Sequence, residues 1–294
     1  MSTAAAPASP SFAPDDFAWL TRVVHERSAI RIEESKAYLV ATRLASIATE
    51  GGHADVAALI AHLRRQPQER IIEAVVDALT TNETSWLRDS HPFHALLEVV
   101  IPEIRDRLGG SRPTRIWSAA CSTGQEPYGL AILLRDKFGP LTNGFEIHAS
   151  DLSERVLAKA RAGEFSQVEV NRGLPARLLV EYFDQRATRW LISDEIRRQI
   201  KFRRLNLAQP FPPMPAVDVV LLRNVLIYFD NPTKQAILER VAKVLAPQGY
   251  LLLGSTEMVV DPERRWQPQS VGASTVYRLA EQNPKQHTEH RRLR

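Results

Sequence analysis

Apolar side chains recur at helical spacing through the first hundred residues, then give way to short apolar runs divided by polar turns. Phe17, Leu20, Val23 and Val24 share one helical face, and so do Tyr38, Leu39, Leu44 and Ile47. "EGGHADVAALIAHLRR" breaks at Gly51-Gly52 and starts another amphipathic helix, and Gln68–Leu79 carries the same period. Residues 15–108 hold hardly a strand candidate. From residue 113 the texture alternates. Strand-like runs occupy 115–120, 145–150, 201–207, 217–222, 250–255 and 275–279. Helix-like runs occupy 126–137, 153–162 and 232–245, the last opened by Asn231-Pro232 and closed by Pro247 and Gly249. This alternation predicts an α/β domain, a mostly parallel doubly wound sheet, behind an all-helical leader. One connection is too long. About forty residues separate the helix ending near Arg161 from the strand starting near Lys201, where such loops usually run ~2–6. Inside it, "LPARLLVEYF" reads as a short amphipathic helix and "TRWLISDEIRRQIKF" carries two β-rich stretches. An insertion over 164–200 on the rim of the sheet accounts for this, as a binding surface or as structural elaboration.

Composition narrows the class. A chain of 294 residues, 44% hydrophobic, supplies a core for one large domain or two smaller ones. No run approaches the ~18 apolar residues of a membrane span, so no membrane insertion is expected. "MSTAAAPASPSFAPDD" lacks the basic start and apolar centre of a secretory signal, and residues 1–14 read as a disordered tail. A single cysteine, Cys121, excludes a disulfide framework and fits a reducing cytoplasm. It reads as a small semi-buried residue rather than a nucleophile. Much of the net charge of +4 sits in a basic tail, residues 282–294, leaving the body near neutral. That balance suits an acidic protein partner better than nucleic acid. His91 and His94 are close in sequence, but no third ligand follows at metal spacing, so no metal site is expected.

The chemistry gathers at the strand ends, because ligands of such sheets bind outside the carboxyl ends of the strands where their order reverses. "RIWSAACSTGQEPYGLAILL" is a strand, a tight turn and a helix, yet the turn holds one glycine, Gly124, followed by Gln125 and Glu126. A dinucleotide fingerprint would place three glycines there. A carboxylate at the helix start repels phosphate and attracts an ammonium. Asp151, after the second strand, is placed to accept both hydroxyls of a ribose, or to cap the helix beginning near Ser153. Asn206-Leu207 and Arg223-Asn224-Val225 follow the next two strands. A ligand with a ribose, an adenine, an ammonium, a carboxylate and no phosphate fits: S-adenosylmethionine.

"TNETSWLRD", "IWSAACSTGQEPYGLA", "ASDLS", "NL" and "LLRNVLIYF", in this order, resemble the chemotaxis protein-glutamate O-methyltransferases, the CheR family. The resemblance runs from about residue 15 to residue 280. It implies an N-terminal helical domain, 15–95, and a Rossmann-like S-adenosylmethionine-dependent methyltransferase domain, 96–281, carrying a small β-subdomain at about 164–200. It implies methylation of glutamate side chains on the cytoplasmic helical domain of methyl-accepting chemotaxis receptors. The by-product would be S-adenosylhomocysteine. Residue by residue, it gives cofactor contacts to Asn82, Thr84, Arg88, Glu126, Asp151, Asn206, Leu207, Asn224 and Val225, and the catalytic roles to Arg88 and Tyr228. The chain departs from the family pattern at Leu87, where an aromatic is usual, at Gln125 for glutamate and at Gly129 for serine. Read without the resemblance, Asn82 and Thr84 suit a cap or turn, Arg88 a surface pair with Asp89, and Tyr228 plain core. Other readings of the chain are a non-catalytic S-adenosylmethionine sensor and a methyltransferase with another acceptor. No "NPPY"-type motif or basic aromatic stripe supports the latter.

Overall fold

The computed structural model describes residues 12–141 and 144–280. Residues 1–11 of the expected N-terminal tail, and all of the basic tail 282–294, lie outside them. The first helix already begins at Pro14, inside the expected tail.

Helices α1 (Pro14–Ser28), α2 (Ala37–Glu50), α3 (Val56–Arg65) and α4 (Glu69–Leu79) close around one apolar cluster that includes Leu20, Val24, Leu44, Leu59, Ile60 and Val75. On α2 the buried stripe is Val40, Leu44 and Ala48, while Tyr38 is exposed, so the expected face is rotated. The i, i+4 spacing of those three places them one above the other against α4. Ala29, left-handed at φ 58°, ends α1 and turns the chain toward the second unit. Arg43 of α2 donates to the carbonyls of Leu79 and Thr80 at 2.9 and 3.1 Å, putting a cation on the negative end of α4.

After a connector at residues 80–90 comes a continuous helical run: α5 (His91–Ala95), a π-helical turn (Leu96–Val100) and α6 (Ile101–Leu108). Phe93, Leu96, Val100, Ile101 and Ile104 pack with Ile116, Leu134 and Val219 in the core of the sheet. The division in packing therefore falls near residue 80, not at the expected 95.

The remaining elements alternate as predicted: β1 (Thr114–Ala119), α7 (Gln125–Phe138), β2 (Phe145–Asp151), α8 (Glu154–Ala162), β3 (Glu164–Ser166), α9 (Gln167–Asn171), α10 (Ala176–Tyr182), β4 (Phe183–Arg186), β5 (Arg189–Ile192), α11 (Asp194–Arg197), β6 (Ile200–Arg204), β7 (Val217–Leu222), α12 (Asn231–Val244), β8 (Leu245–Leu253), β9 (Trp266–Val271) and β10 (Ser274–Leu279). Seven strands form the main sheet in the order β6-β2-β1-β7-β8-β10-β9. Its first five are parallel, and β10 is antiparallel to both β8 and β9. The chain runs outward from β1 through β2 to β6 and returns to β7 beside β1. The order reverses there, which opens a crevice at the carboxyl ends of β1 and β7. Every residue of β7 is buried, as a central parallel strand requires.

Two expected strands shift their boundaries by several residues. The strand expected at 250–255 starts at Leu245 and carries an irregularity opposite Val217 and Val219, so Pro247 and Gly249 lie within it. The strand expected at 201–207 stops at Arg204, which frees Asn206 and Leu207 for the crevice. The strand β9 has no counterpart among the expected elements.

The insertion is a separate three-stranded sheet, β3-β5-β4, whose strands pair antiparallel. Of the two β-rich stretches expected in 188–202, the first is β5. The second is β6 of the main sheet, with the short α11 between them. Aromatic rings of the small sheet grip the connector. Trp86 meets Phe165 and Phe183 edge-on, with centroids 4.9 and 5.5 Å apart. Gly173, at φ 99°, lies so close that a Cβ would collide with the Trp86 carbonyl oxygen. The Trp86 amide donates to the Arg172 carbonyl at 3.0 Å, which completes the clasp.

Candidate functional site

A cleft enclosing about 920 Å³, its open mouth included, lies at the reversal point of the sheet. All ten residues singled out from the sequence line it: Asn82, Thr84, Arg88, Glu126, Asp151, Asn206, Leu207, Asn224, Val225 and Tyr228. Ser28 and Ile30, from the end of α1, form part of the opposite wall and carried no signal in the sequence.

The turn between β1 and α7 answers for its shortage of glycine with strain. Ala120 and Ser122 both adopt left-handed backbone, at φ 61° and 51°, beside Gly124 at φ 95°. Such conformations cost a residue with a side chain about 1 kcal/mol or more and persist where neighbours over-determine them. Here the neighbours are explicit. The Cys121 amide donates to the Ser150 carbonyl at 2.9 Å, the Ser122 amide to Asp151 Oδ2 at 2.9 Å, and Ser122 Oγ to the Asn82 carbonyl at 2.7 Å. Burial pushes the Cys121 thiol well above its ordinary pKa, with Asp151 and Glu126 adding to the rise, so it stays protonated.

Asp151 is buried at the end of β2 and accepts a second amide, that of Ser153, at 3.0 Å. Burial raises its pKa, against the pull of the two amides. Its capping reading fails. Ser153 itself caps α8, accepting the Val156 amide at 3.2 Å.

Glu126 accepts from Ser118 Oγ at 2.7 Å and from Arg223 Nη1 at 2.8 Å. The motifs assign Arg223 no role, though it stands at the polar end of the apolar run Val217–Leu222. Its side chain is 2% exposed. Nη2 donates to the Arg88 carbonyl at 2.5 Å and to Asp89 Oδ2 at 3.1 Å, and the guanidinium stands 5.4 Å over the Phe93 ring. Asp89 therefore pairs with Arg223 and not with Arg88. Leu87 and Asp89 flank Arg88 with left-handed backbone, φ 47° and 58°. Among the described residues the Arg88 side chain has no acidic partner.

Across the cleft, Tyr228 is half-buried in its wall rather than in the core, and its hydroxyl has no partner among the described residues. The side chain of Asn206 is engaged elsewhere. It donates to the Arg27 carbonyl at 2.7 Å and accepts the Ala208 amide at 2.9 Å. It therefore joins α1 to the loop after β6, and that pairing occupies one of its amide hydrogens and its oxygen. Asn224, left-handed at φ 56°, donates its amide to Glu257 at 2.6 Å.

Residues 82–274 match the SAM binding domain of the CheR methyltransferases, and residues 15–80 match their all-alpha domain. The chain belongs to the CheR methyltransferase family. It is 39% identical to the chemotaxis protein methyltransferase Cher2 of Pseudomonas putida, over 82% of this chain and 90% of that one. It is 38% identical to chemotaxis protein methyltransferase 1 of Pseudomonas aeruginosa, over 91% and 99% of the two chains. With the chemotaxis protein methyltransferase of Vibrio parahaemolyticus the identity is 34%, over 88% and 94%. The protein is thus a methyltransferase of chemotaxis that uses S-adenosylmethionine. The two matched CheR segments meet at residues 80–82, where the packing also divides. Two of the departures from the CheR pattern touch each other. A Cβ on Gly129 would stand 2.9 Å from Leu87 Cδ2, so the leucine lies in the space that a side chain at 129 would use.

Proposed function

We propose that this CheR-family enzyme methylates glutamate side chains on the helical cytoplasmic domain of methyl-accepting chemotaxis receptors. On this reading it works in the cytoplasm and makes glutamyl methyl esters. The observation that carries the reading is a free cation in a cleft whose carboxylates are already engaged, Glu83 by Arg172, Glu126 by Ser118 and Arg223, and Asp151 by two backbone amides. The residues lining the cleft include no histidine and no lysine, and the Cys121 thiol is held protonated. Arg88 has no acidic partner among the described residues. An amine acceptor would have to be deprotonated there. A glutamate, with a pKa near ~4.3, arrives already as the nucleophile.

The donor set fits the cofactor. Asp151 accepts from the ribose hydroxyls, and Glu126 at the start of α7 faces the ammonium with the lone pairs that Ser118 and Arg223 leave. Ile30, Leu207 and Val225 offer apolar surface for the adenine. Asn82, Thr84 and the Asn206 and Asn224 segments supply the remaining polar edges. The α7 terminus is closed to a pyrophosphate by the Glu126 carboxylate.

S-adenosylmethionine, when bound, supplies a methyl group on a sulfonium with a neutral thioether as leaving group. Arg88 orients the incoming carboxylate, pairing with one oxygen while the other faces the methyl carbon. Tyr228 presents its hydroxyl and ring beside the line of attack. An oxygen–carbon bond forms, the carbon–sulfur bond breaks and no proton moves. Opposite charges neutralise along the way, so the residues that exclude water raise the rate. The product loses one negative charge from a receptor helix, where like charges at i, i+4 repel.

The test uses the lability of the ester. A chemoreceptor cytoplasmic domain is labelled with radioactive methyl from the cofactor, the pH is raised and the vapour is trapped. Label released as methanol is the expected result. Label that stays on the protein through alkali rejects a carboxylate acceptor.

A further inference from the structure

We infer that Glu257, which does not itself line the cleft, is the positioning residue for Tyr228. The inference rests on the part given to Tyr228 above. Tyr228 sits on a short segment after β7, in which Asn224 is left-handed and Leu226–Tyr228 form a single 3-10 turn. Such a segment has few backbone bonds of its own. The Tyr228 and Phe229 amides reach the Val225 and Leu226 carbonyls at 3.2 and 3.1 Å, and the next contacts come from outside. They come from one carboxylate. Glu257 is 8% exposed and accepts three backbone amides: Asn224 at 2.6 Å, Gly254 at 2.9 Å and Ile227 at 3.3 Å.

Those three donors join two neighbouring strand ends. Asn224 and Ile227 lie after β7, and Gly254 lies immediately after β8. Among the described residues Glu257 has no cationic partner, so its buried charge is met by backbone dipoles alone. Amides that converge on an anion give shorter and stronger hydrogen bonds than neutral pairs. Gly254 completes the cradle. A Cβ there would stand 2.6 Å from Asn224 Nδ2 and 2.8 Å from Glu257 Oε2. The run Gly254-Ser255-Thr256-Glu257 thus fixes where the segment carrying Asn224, Val225 and Tyr228 enters the cleft. Glutamine at 257 would keep one acceptor oxygen and turn an NH₂ group toward amides that also donate.

The experiment is a double-mutant cycle on the full chain, with a chemoreceptor cytoplasmic fragment that the wild-type enzyme methylates. Glu257→Gln is measured alone and in a Tyr228→Phe background, at saturating cofactor, with cofactor affinity recorded by calorimetry. Misplacing a reacting group by about an ångström costs on the order of a hundredfold in rate. The expected result is a kcat lowered about tenfold to a hundredfold by Glu257→Gln alone, with receptor KM within about twofold of wild type. In the Tyr228→Phe background the same change should cost less than about twofold, because the group it misplaces is gone. Glu257→Gln with wild-type kcat overturns the inference while leaving the role of Tyr228 intact. An equal loss in both backgrounds also overturns it, since Glu257 would then act on the fold at large. Tyr228→Phe with full kcat removes the tyrosine's role itself, and the inference with it. Should Glu257→Gln fail to fold, Gly254→Ala disturbs the same cradle with the carboxylate in place. Its kcat loss must likewise shrink in the Tyr228→Phe background, and an undiminished loss or none refutes the positioning.

Discussion

Replacing Arg223 by methionine should markedly destabilise this enzyme. The side chain is 2% exposed and holds Glu126, whose own side chain is 13% exposed, at 2.8 Å. At an effective dielectric of about 20 and a charge separation of about 4 Å, that pair is worth about 4 kcal/mol of Coulomb attraction. Methionine keeps most of the volume beside Phe93 and loses the charge. Glu126 is then a poorly hydrated anion with only Ser118 to donate to it. Removing one partner of a buried pair typically costs about 3–5 kcal/mol. The pair with Asp89, 28% exposed, adds at most about 1 kcal/mol after solvent screening. Arg223→Met should therefore lose about 3–5 kcal/mol, and Tm about 10 °C. Adding Glu126→Gln removes the stranded charge, and the double variant should return to within about 2 kcal/mol of wild type. Urea denaturation followed by circular dichroism measures both, with an unchanged m-value showing that the same transition is compared. A loss below about 1 kcal/mol in Arg223→Met, or strict additivity of the two changes, would refute the view of Arg223 as the charge at the centre of the site.

Asp151→Asn should weaken S-adenosylhomocysteine by about 1–3 kcal/mol in calorimetry at neutral pH. Because burial raises the Asp151 pKa above the usual carboxylate value, wild-type affinity should fall as pH drops through that raised pKa, while the Asp151→Asn variant shows no such step. The same shift has the opposite sign for the empty enzyme: its contribution to stability is full below the unfolded pKa near ~3.9 and is lost as pH rises through the folded value. Gly129→Ala should gain the ~1 kcal/mol of helix propensity only when Leu87→Ala has cleared the space beside it, as thermal unfolding of the two single variants and the double will show.

Central strands are legible because burial on both faces leaves no polar alternation to misread: Val217–Leu222 is apolar but for Asp218, and Asp218 is buried beneath Arg112 at 2.7 and 2.8 Å. The edge strand β9 is not legible. Pro268 lies within it, and an edge position tolerates the missing donor. The boundary expected at residue 95 fails for a different reason. Helical spacing in 91–108 reveals a buried stripe, not which core buries it. In the site, polar residues at strand ends follow from the topology alone, so Glu126, Asp151, Asn206 and Asn224 were within reach of the pattern. Asn82, Thr84 and Arg88 lie outside the sheet, and only the family resemblance brought them in. Glu257 left no trace, because its partners are backbone amides, which every sequence has. The place of Asn206 follows from the topology, but its side chain is engaged by the Arg27 carbonyl and the Ala208 amide.

Ser28 and Ile30 belong to the helical unit, and Asp151 and Asn224 to the sheet, yet all four face one cleft. Arg31 also reaches Asp230 at 3.0 Å across the same seam. Whatever fills the cleft is therefore mortar between the two units. A ligand at a hundred times its Kd adds about 2.7 kcal/mol to the folded state by mass action, and here part of that gain is cohesion across the seam. A loaded enzyme should therefore resist proteolysis at the joint better than a bare one, as limited digestion with and without S-adenosylhomocysteine would show.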